Sequence, residues 1–360
     1  MVLEIVFLLA FLFFLINVLI VIILKKNSAF SSNFNDRLNF SIIIAAKNEE
    51  ENILPSIKLL QDLNYPKENF EVIIVDDNSS DKTYKIVNEL IQNLRNFRII
   101  KIGKNEFQAK KGALSYGINK AYNPFILITD ADCRPQKEWL KFYSEGFMNG
   151  YDFIFGNAPF YRNGSFINKI SCFENLRSSI LTFFAAKVGF PYSASARNFG
   201  FKKSSFEKIK GYSNTTETLS GDDDLLLREA VKNNLKIGAI FNNGSFVYSS
   251  TKIKLMDYLN QRARHTKTSF YYLPDRQLFL SFWHLLNLFL LFSLVLIIFN
   301  TFFGSLFLLK LLIDSIIIKS LQNKFGYRFS ILEILYLQMI YEVFLIVHFI
   351  NAFFKKDKWK

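Results

Sequence analysis

Residues 126–133 read ILITDADC, an apolar run that ends in two aspartates one residue apart, Asp130 and Asp132. A run of this kind buries both faces of a strand, and carboxylates do not follow it into a core without a partner. They belong at the strand's C-terminal end, where an open α/β sheet places its ligand crevice. Working outward, FSIIIAA (40–46), FEVIIV (70–75), FRIIKI (97–102), PFILIT (124–129) and YDFIFG (151–156) read as further strands. Helical patterns fall between them near 55–63, 81–95, 108–122 and 136–148. Continuous apolar strands alternating with helices predict an α/β domain with a largely parallel sheet covered on both sides.

The flanks have a different character. Val2 to Leu24 is broken only by Glu4 and Asn17 and is followed at once by Lys25-Lys26. About 20 apolar residues span a bilayer. The charge follows the run and no small-residue cleavage site ends it, so an uncleaved anchor is expected over residues 1–25. Three C-terminal spans are expected as well, at about 278–299, 302–318 and 331–354, in a segment covering 278–354. The middle one carries Lys310 and Asp314 at i, i+4, a pair on one helix face or the mark of a protein-packed segment. Residues 26–277 then form the soluble domain, with a polar linker over 27–39 and an interfacial helix at about 252–270. The positive-inside rule puts Lys25-Lys26 and this domain on the cytoplasmic side of a cell membrane.

Half of the 360 residues are apolar and the net charge is +13. That charge suits a surface beside anionic lipid. Nucleic acid is not an expected partner, because no recognition motif accompanies the charge. Two cysteines, Cys133 and Cys172, supply neither a disulfide framework nor a cysteine zinc site. Neither a G-x-G-x-x-G after the first strand nor a G-x-x-x-x-G-K-[ST] is present.

Acidic groups recur at the strand ends: Glu49, then Asp76-Asp77, then Asp130 and Asp132. On a parallel sheet those ends share one edge, so residues far apart in sequence converge. Two carboxylates at i, i+2 can reach one Mg²⁺ or Mn²⁺, a cation that keeps water and binds substrate phosphates. TLSGDDDLLLREA (218–230) sets three aspartates before an amphipathic helix, and NQRARHTKT (260–268) clusters basic residues ahead of the apolar tail. Each stretch alone has a plainer reading, as a turn, a charged helix start or a lipid-facing basic helix.

In order, NEE (48–50), VDDNSSDKT (75–83), KKGAL (110–114), TDADCRPQKEWL (129–140), SGDDDL (220–225) and QRARH (261–265), flanked by apolar segments, resemble membrane-bound glycosyltransferase family 2. The resemblance covers about residues 40–270. It implies a GT-A fold, a nucleotide-diphospho-sugar transferase domain of Rossmann-like type, and an inverting transfer that depends on Mg²⁺ or Mn²⁺. It implies that Asp77, with Glu49 nearby, meets the donor's base and that Asp130 contacts its ribose or diphosphate side. Asp132, with Asp130, would hold the metal. Lys110 or Lys111 would lie near the donor phosphates, Arg264 at the diphosphate, and Gln261 and Asn198 at the acceptor. Asp222 or Asp223 would be the catalytic base.

Three positions depart from the family pattern. Gly221 stands where a Glu is frequent, Ala45 where many members have Pro, and His265 where processive synthases place a Trp that stacks on the growing chain. The last favours addition of one or a few sugars. The expected reaction moves a sugar, UDP-linked by family habit, to a membrane lipid or lipid-linked glycan in cell-surface polysaccharide or glycolipid synthesis. A processive polysaccharide synthase, a polyprenyl-phosphate glycosyltransferase and a non-catalytic nucleotide-binding scaffold are the other readings. Trp139 is expected to be a helix packing residue and Cys133 a small filler, while His284 and His348 are expected to be satisfied by neighbouring helices.

Overall fold

The computed structural model describes residues 2–26, 38–103 and 107–354. The expected linker lies almost wholly outside them, as does the basic tail from Lys355. In chain order the elements begin with α1 (Val2–Lys25), β1 (Phe40–Ala46), α2 (Ile53–Gln61), β2 (Phe70–Asp76), α3 (Thr83–Ile91), β3 (Phe97–Lys101) and α4 (Ala109–Asn119). They continue with β4 (Phe125–Asp130), β5 (Arg134–Pro135), α5 (Trp139–Met148), β6 (Phe153–Gly156), α6 (Phe166–Lys187), β7 (Phe199–Lys202), α7 (Lys203–Lys208) and α8 (Asp224–Lys232). Then come β8 (Ile237–Ile240), β9 (Val247–Tyr248), α9 (Leu255–Ser269), α10 (Pro274–Phe292), α11 (Phe302–Leu321) and α12 (Ile331–Phe354).

These elements fall into two compact units. Of the described residues, one comprises 38–103, 107–161 and 191–250; the other 2–26, 162–190 and 251–354. The expectation of an uninterrupted soluble domain over 26–277 runs across this division, since α6 and α9 group with the apolar flanks.

The first unit is built on a seven-stranded sheet of order β3-β2-β1-β4-β7-β6-β8. β1, β2, β3 and β4 are parallel, β7 runs antiparallel to both β4 and β6, and β6 is parallel to β8. The sheet is therefore mixed, with β7 its one reversed strand. Strands β1, β2 and β4 are continuous buried runs because helices cover both faces, as Ile42, Val72, Ile74 and Leu127 in the core cluster illustrate. Trp139 and Tyr143 of α5 are wholly buried in the same cluster, so the packing role expected of Trp139 holds. A two-stranded ribbon pairs Arg134 with Tyr248.

In the second unit, two helices among the described residues are long and apolar enough to cross a membrane, Glu4–Lys25 and Ile331–Phe354. This corrects the expected total of four. The expected 278–299 span breaks: α10 ends at Phe292 and a short 3₁₀ turn follows over Val295–Ile298. α11 carries the charges already noted, and the structure shows where they go. Lys310 Nζ lies 2.7 Å from Asp314 Oδ2 and 3.4 Å from Glu342, while Arg177 of α6 lies 2.9 Å from Asp314 Oδ1. All four are buried, which makes α11 a protein-packed helix around an ionic centre. One turn earlier on α6, buried Glu174 accepts from Arg262 of α9 at 2.7 Å and from the Tyr258 hydroxyl, with His348 Nε2 at 3.5 Å. His348 thus has neighbouring partners, as expected.

Candidate active site

The register of the parallel strands sets the site. Ala46 pairs with Asp76 and Ala45 with Asp130, so β1, β2 and β4 release their next residues at one edge. After β1, Asn48 takes a left-handed φ of 54°, a conformation in which Asn is one of the better-tolerated residues. Its Oδ1 accepts from the Ser80 N–H at 2.9 Å, and the Glu49 N–H donates to Thr83 Oγ1 at 2.8 Å. The 47–50 turn is thereby laced to the 79–83 loop. Glu49 and Asp77 are both buried, with Lys47 Nζ 3.3 Å from Asp77 Oδ2. Asp76 is also buried, and its Oδ1 has no hydrogen-bond partner.

α4 presents its two lysines differently. Lys110 Nζ lies 2.7 Å from Asp130 Oδ1 and 2.6 Å from Asp222 Oδ2, bridging two loops of the site. Burial alone would lower its pKa; the two carboxylates outweigh it and hold the ammonium well above the usual lysine range. Lys111 instead donates to the backbone carbonyls of Thr215 and Thr218, the latter at 2.9 Å, and burial lowers its pKa. Of the two lysines expected near phosphate, Lys111 is used to hold the 215–218 loop.

The three consecutive aspartates also part company. Asp223 Oδ1 accepts from the Asp224 N–H and Oδ2 from the Ala196 N–H, both at 2.7 Å. Asp224 Oδ1 accepts from Ser193 Oγ at 2.8 Å and the Ala194 N–H at 2.9 Å. Both therefore pin the 193–196 segment. Asp222 is left with the Lys110 ion pair, and the wholly buried Tyr212 stands close enough for the Asp222 charge to raise its phenol pKa, after burial itself. Burial and the flanking carboxylates push Asp223 well above the usual carboxylate range. Gly221 has a φ of +78°, a backbone state that disfavours the Glu frequent there in the family.

Asp130, Asp132 and Cys133 bring one possible ligand atom each within 4.8 Å of one another. Burial, then the two aspartates, pushes the Cys133 thiol well up, which leaves two hard carboxylates as the donor set. That set fits Mg²⁺ or Mn²⁺ completed by water and a diphosphate. Asn198 does not fit its expected acceptor role. It is buried, its Oδ1 accepts from Trp139 Nε1 and the Tyr143 hydroxyl at 2.8 Å each, and its Nδ2 donates to the Asn157 and Ser245 carbonyls at 2.7 and 2.9 Å. Every hydrogen-bonding position of that amide is used inside the protein. Gln261 and Arg264 lie on α9, in the second unit.

A family model described as Glycosyl transferase family 2 matches residues 41–210. A Methanococcus voltae protein named dolichyl N-acetyl-alpha-D-glucosaminyl phosphate 3-beta-D-2,3-diacetamido-2,3-dideoxy-beta-D-glucuronosyltransferase is 30% identical over 231 residues, 60% of this chain and 69% of its own. The chain belongs to glycosyltransferase family 2. A further relative, the probable glycosyltransferase YdaM of Bacillus subtilis (strain 168), is 26% identical over 54% of this chain and 47% of its own. The chain thus spans about half the length of that relative. Among solved structures, the mannosyltransferase PcManGT of Pyrobaculum calidifontis, in complex with GDP-Man and Mn²⁺, aligns over 98% of this chain and 96% of its own. Its TM-score is 0.63 at 14% identity, a likeness of fold, GT-A. Membership in this enzyme family sets aside the non-catalytic scaffold.

Lys47 and Tyr212 lie beside Asp77 and Asp222 and were not singled out by the sequence reading. Lys47 directly follows the first strand, a position that flags it once the sheet edge is known. Tyr212 carries no local signal.

Proposed function

We propose that this family-2 enzyme is an inverting, divalent-metal-dependent transferase that moves a sugar from a nucleotide sugar to a lipid-linked or membrane-associated saccharide. The observation that carries the reading is the convergence of Asp77, the Asp130–Asp132 pair and Asp222 at one sheet edge, with Asp222 alone of its triplet spared from backbone hydrogen bonding. Asp130 and Asp132 would hold the cation, which when bound supplies positive charge to the departing diphosphate. Asp77, oriented by Lys47, accepts from the donor's base, and Glu49 closes that end of the crevice. Asp222 takes the proton from the attacking hydroxyl of the acceptor, so inversion at the sugar carbon follows from one displacement. No acid is required for a leaving group that departs as an anion.

The motif order supports Arg264 at the diphosphate and Gln261 at the acceptor. His265 in place of a stacking Trp supports transfer of one or a few sugars over processive synthesis. A UDP donor is the reading favoured by family habit. The acceptor class is supported by the dolichyl-linked relative and by a relative from Trichormus variabilis named beta-monoglucosyldiacylglycerol synthase, 36% identical over 28% of this chain and 21% of its own. The two long apolar helices support an integral membrane protein, and Lys25-Lys26 after the first of them supports a catalytic unit on the cytoplasmic side. The test is nucleotide release from a panel of UDP- and GDP-sugars by membranes containing the protein, with Mn²⁺ or Mg²⁺ and membrane lipid extract. Metal-dependent release from one donor, lost in Asp132→Ala, is expected; release that persists unchanged in Asp132→Ala would refute the metal assignment.

A further inference from the structure

The buried lysine of α4 is placed where a cation and a base must later act independently. Lys110 Nζ stands 2.7 Å from Asp130 and 2.6 Å from Asp222, and its side chain is 11% exposed. An ammonium between two carboxylates contacts both and balances one of their two charges. While it stays there, Asp222 Oδ2 is occupied by a partner at contact distance and is closed to an incoming hydroxyl. Asp130 is at the same time a weaker ligand for any other cation. Lys111, one residue on, shows that the helix does not need a second lysine to hold neighbouring loops, since it does so itself through the carbonyls of Thr215 and Thr218.

A second observation concerns Tyr212, a neighbour of Asp222. The Tyr212 hydroxyl is buried and has no hydrogen-bond partner. A buried hydroxyl left unpaired costs about 1–3 kcal/mol, so such a group generally has a second arrangement in which it is paired. Asp222 is the carboxylate that already bears on it electrostatically. Tyr212 is thus placed to steady Asp222 in the arrangement where Lys110 no longer does.

We propose that Lys110 is a built-in cation that masks the base: it pairs Asp130 with Asp222 in the resting enzyme and competes with a divalent cation for Asp130. This rests on the metal and base assignments above. When Asp130 is taken up by the divalent cation and a diphosphate offers Lys110 a new anion, Lys110 releases Asp222, which turns to Tyr212 and becomes able to accept a proton. The device couples the base to the presence of the donor and so restrains proton transfer before the donor is in place.

The test reads metal binding without turnover. Mn²⁺ is titrated into the detergent-solubilised full chain without donor, and the free ion is followed by its electron paramagnetic resonance signal. Lys110→Met removes the charge and keeps the length of the side chain, and should tighten Mn²⁺ binding about tenfold, a difference of about 1.4 kcal/mol. Lys110→Arg keeps the charge and should bind Mn²⁺ as the parent does. Lys110→Gln is a second neutral variant should Lys110→Met fold poorly. No gain in either neutral variant, absence of measurable binding in all proteins, or an equal gain in Lys110→Arg overturns the proposal. Because no sugar donor enters the titration, a failure to find any transferase activity would strike the proposed function and leave this measurement standing.

Discussion

Asp222 and Asp223 are adjacent and both carboxylates, yet the structure predicts different consequences for the same substitution. Asp222→Asn keeps the shape, removes the proton-accepting oxygen and disturbs no backbone hydrogen bond. A general base contributes about 10²–10⁴-fold, so kcat should fall by that factor, about 2.7–5.4 kcal/mol of barrier, while donor affinity holds; Lys110 loses one of its two carboxylate partners and keeps Asp130. Asp223→Asn replaces one of two acceptor oxygens by an NH₂ that faces the Ala196 or Asp224 N–H, each now 2.7 Å from an oxygen. One buried N–H is left unpaired against a donor, a cost of about 1–3 kcal/mol. For a domain of this size that corresponds to a fall in melting temperature of about 2–12 °C. The assay is thermal unfolding of each variant in detergent beside nucleotide release at saturating donor. Refutation would be the reverse pattern, with Asp223→Asn abolishing turnover at unchanged melting temperature and Asp222→Asn active.

Two further outcomes follow from the packing. Glu174 has its carboxyl drawn down to about 2: burial opposes ionisation, but Arg262, His348 and the Tyr258 hydroxyl outweigh it. A depressed carboxylate stabilises the fold at pH values above its unfolded pKa of about 4.3, and that contribution is lost as pH falls from there toward 2. The shift amounts to about 3 kcal/mol, so Glu174→Gln should melt lower at pH 7 and lose most of that difference from the parent near pH 2–3, read by circular dichroism in detergent. Trp139→Phe removes the 2.8 Å indole donor to Asn198 and should cost about 0.5–1.5 kcal/mol in denaturant unfolding, with the Asn198 Oδ1 still held by Tyr143. An unchanged midpoint would remove Asn198 from the role of buried crosslink.

The sequence by itself determined the parallel half of the sheet and the edge on which the chemistry sits. β1, β2 and β4 are apolar runs with period-independent burial, the pattern that needs no tertiary information, and β1 was legible residue for residue over 40–46. The aspartates after β2 and β4 follow from the same logic. The short strands β7 and β8 were not legible, because four residues of mixed character such as Ile237–Ile240 acquire strand geometry only by pairing with a neighbour. The two long apolar helices announced themselves by composition. α10 and α11 did not separate from them, since hydropathy along a chain cannot tell a lipid-facing segment from one whose charges, Lys310 and Asp314, find Arg177 and Glu342 in the fold.

Only the tertiary structure divided the labour among like residues. Sequence offers two lysines in KKGAL and three aspartates in SGDDDL on equal terms. The fold sends Lys111 to carbonyls and Lys110 to carboxylates, and it spends Asp223 and Asp224 on backbone N–H groups while leaving Asp222 to the site. It likewise turned Asn198 from a candidate ligand into a saturated crosslink. A side chain's chemistry is carried by its type, but its availability depends on which hydrogen-bonding positions distant segments have already filled, and that is decided by packing alone.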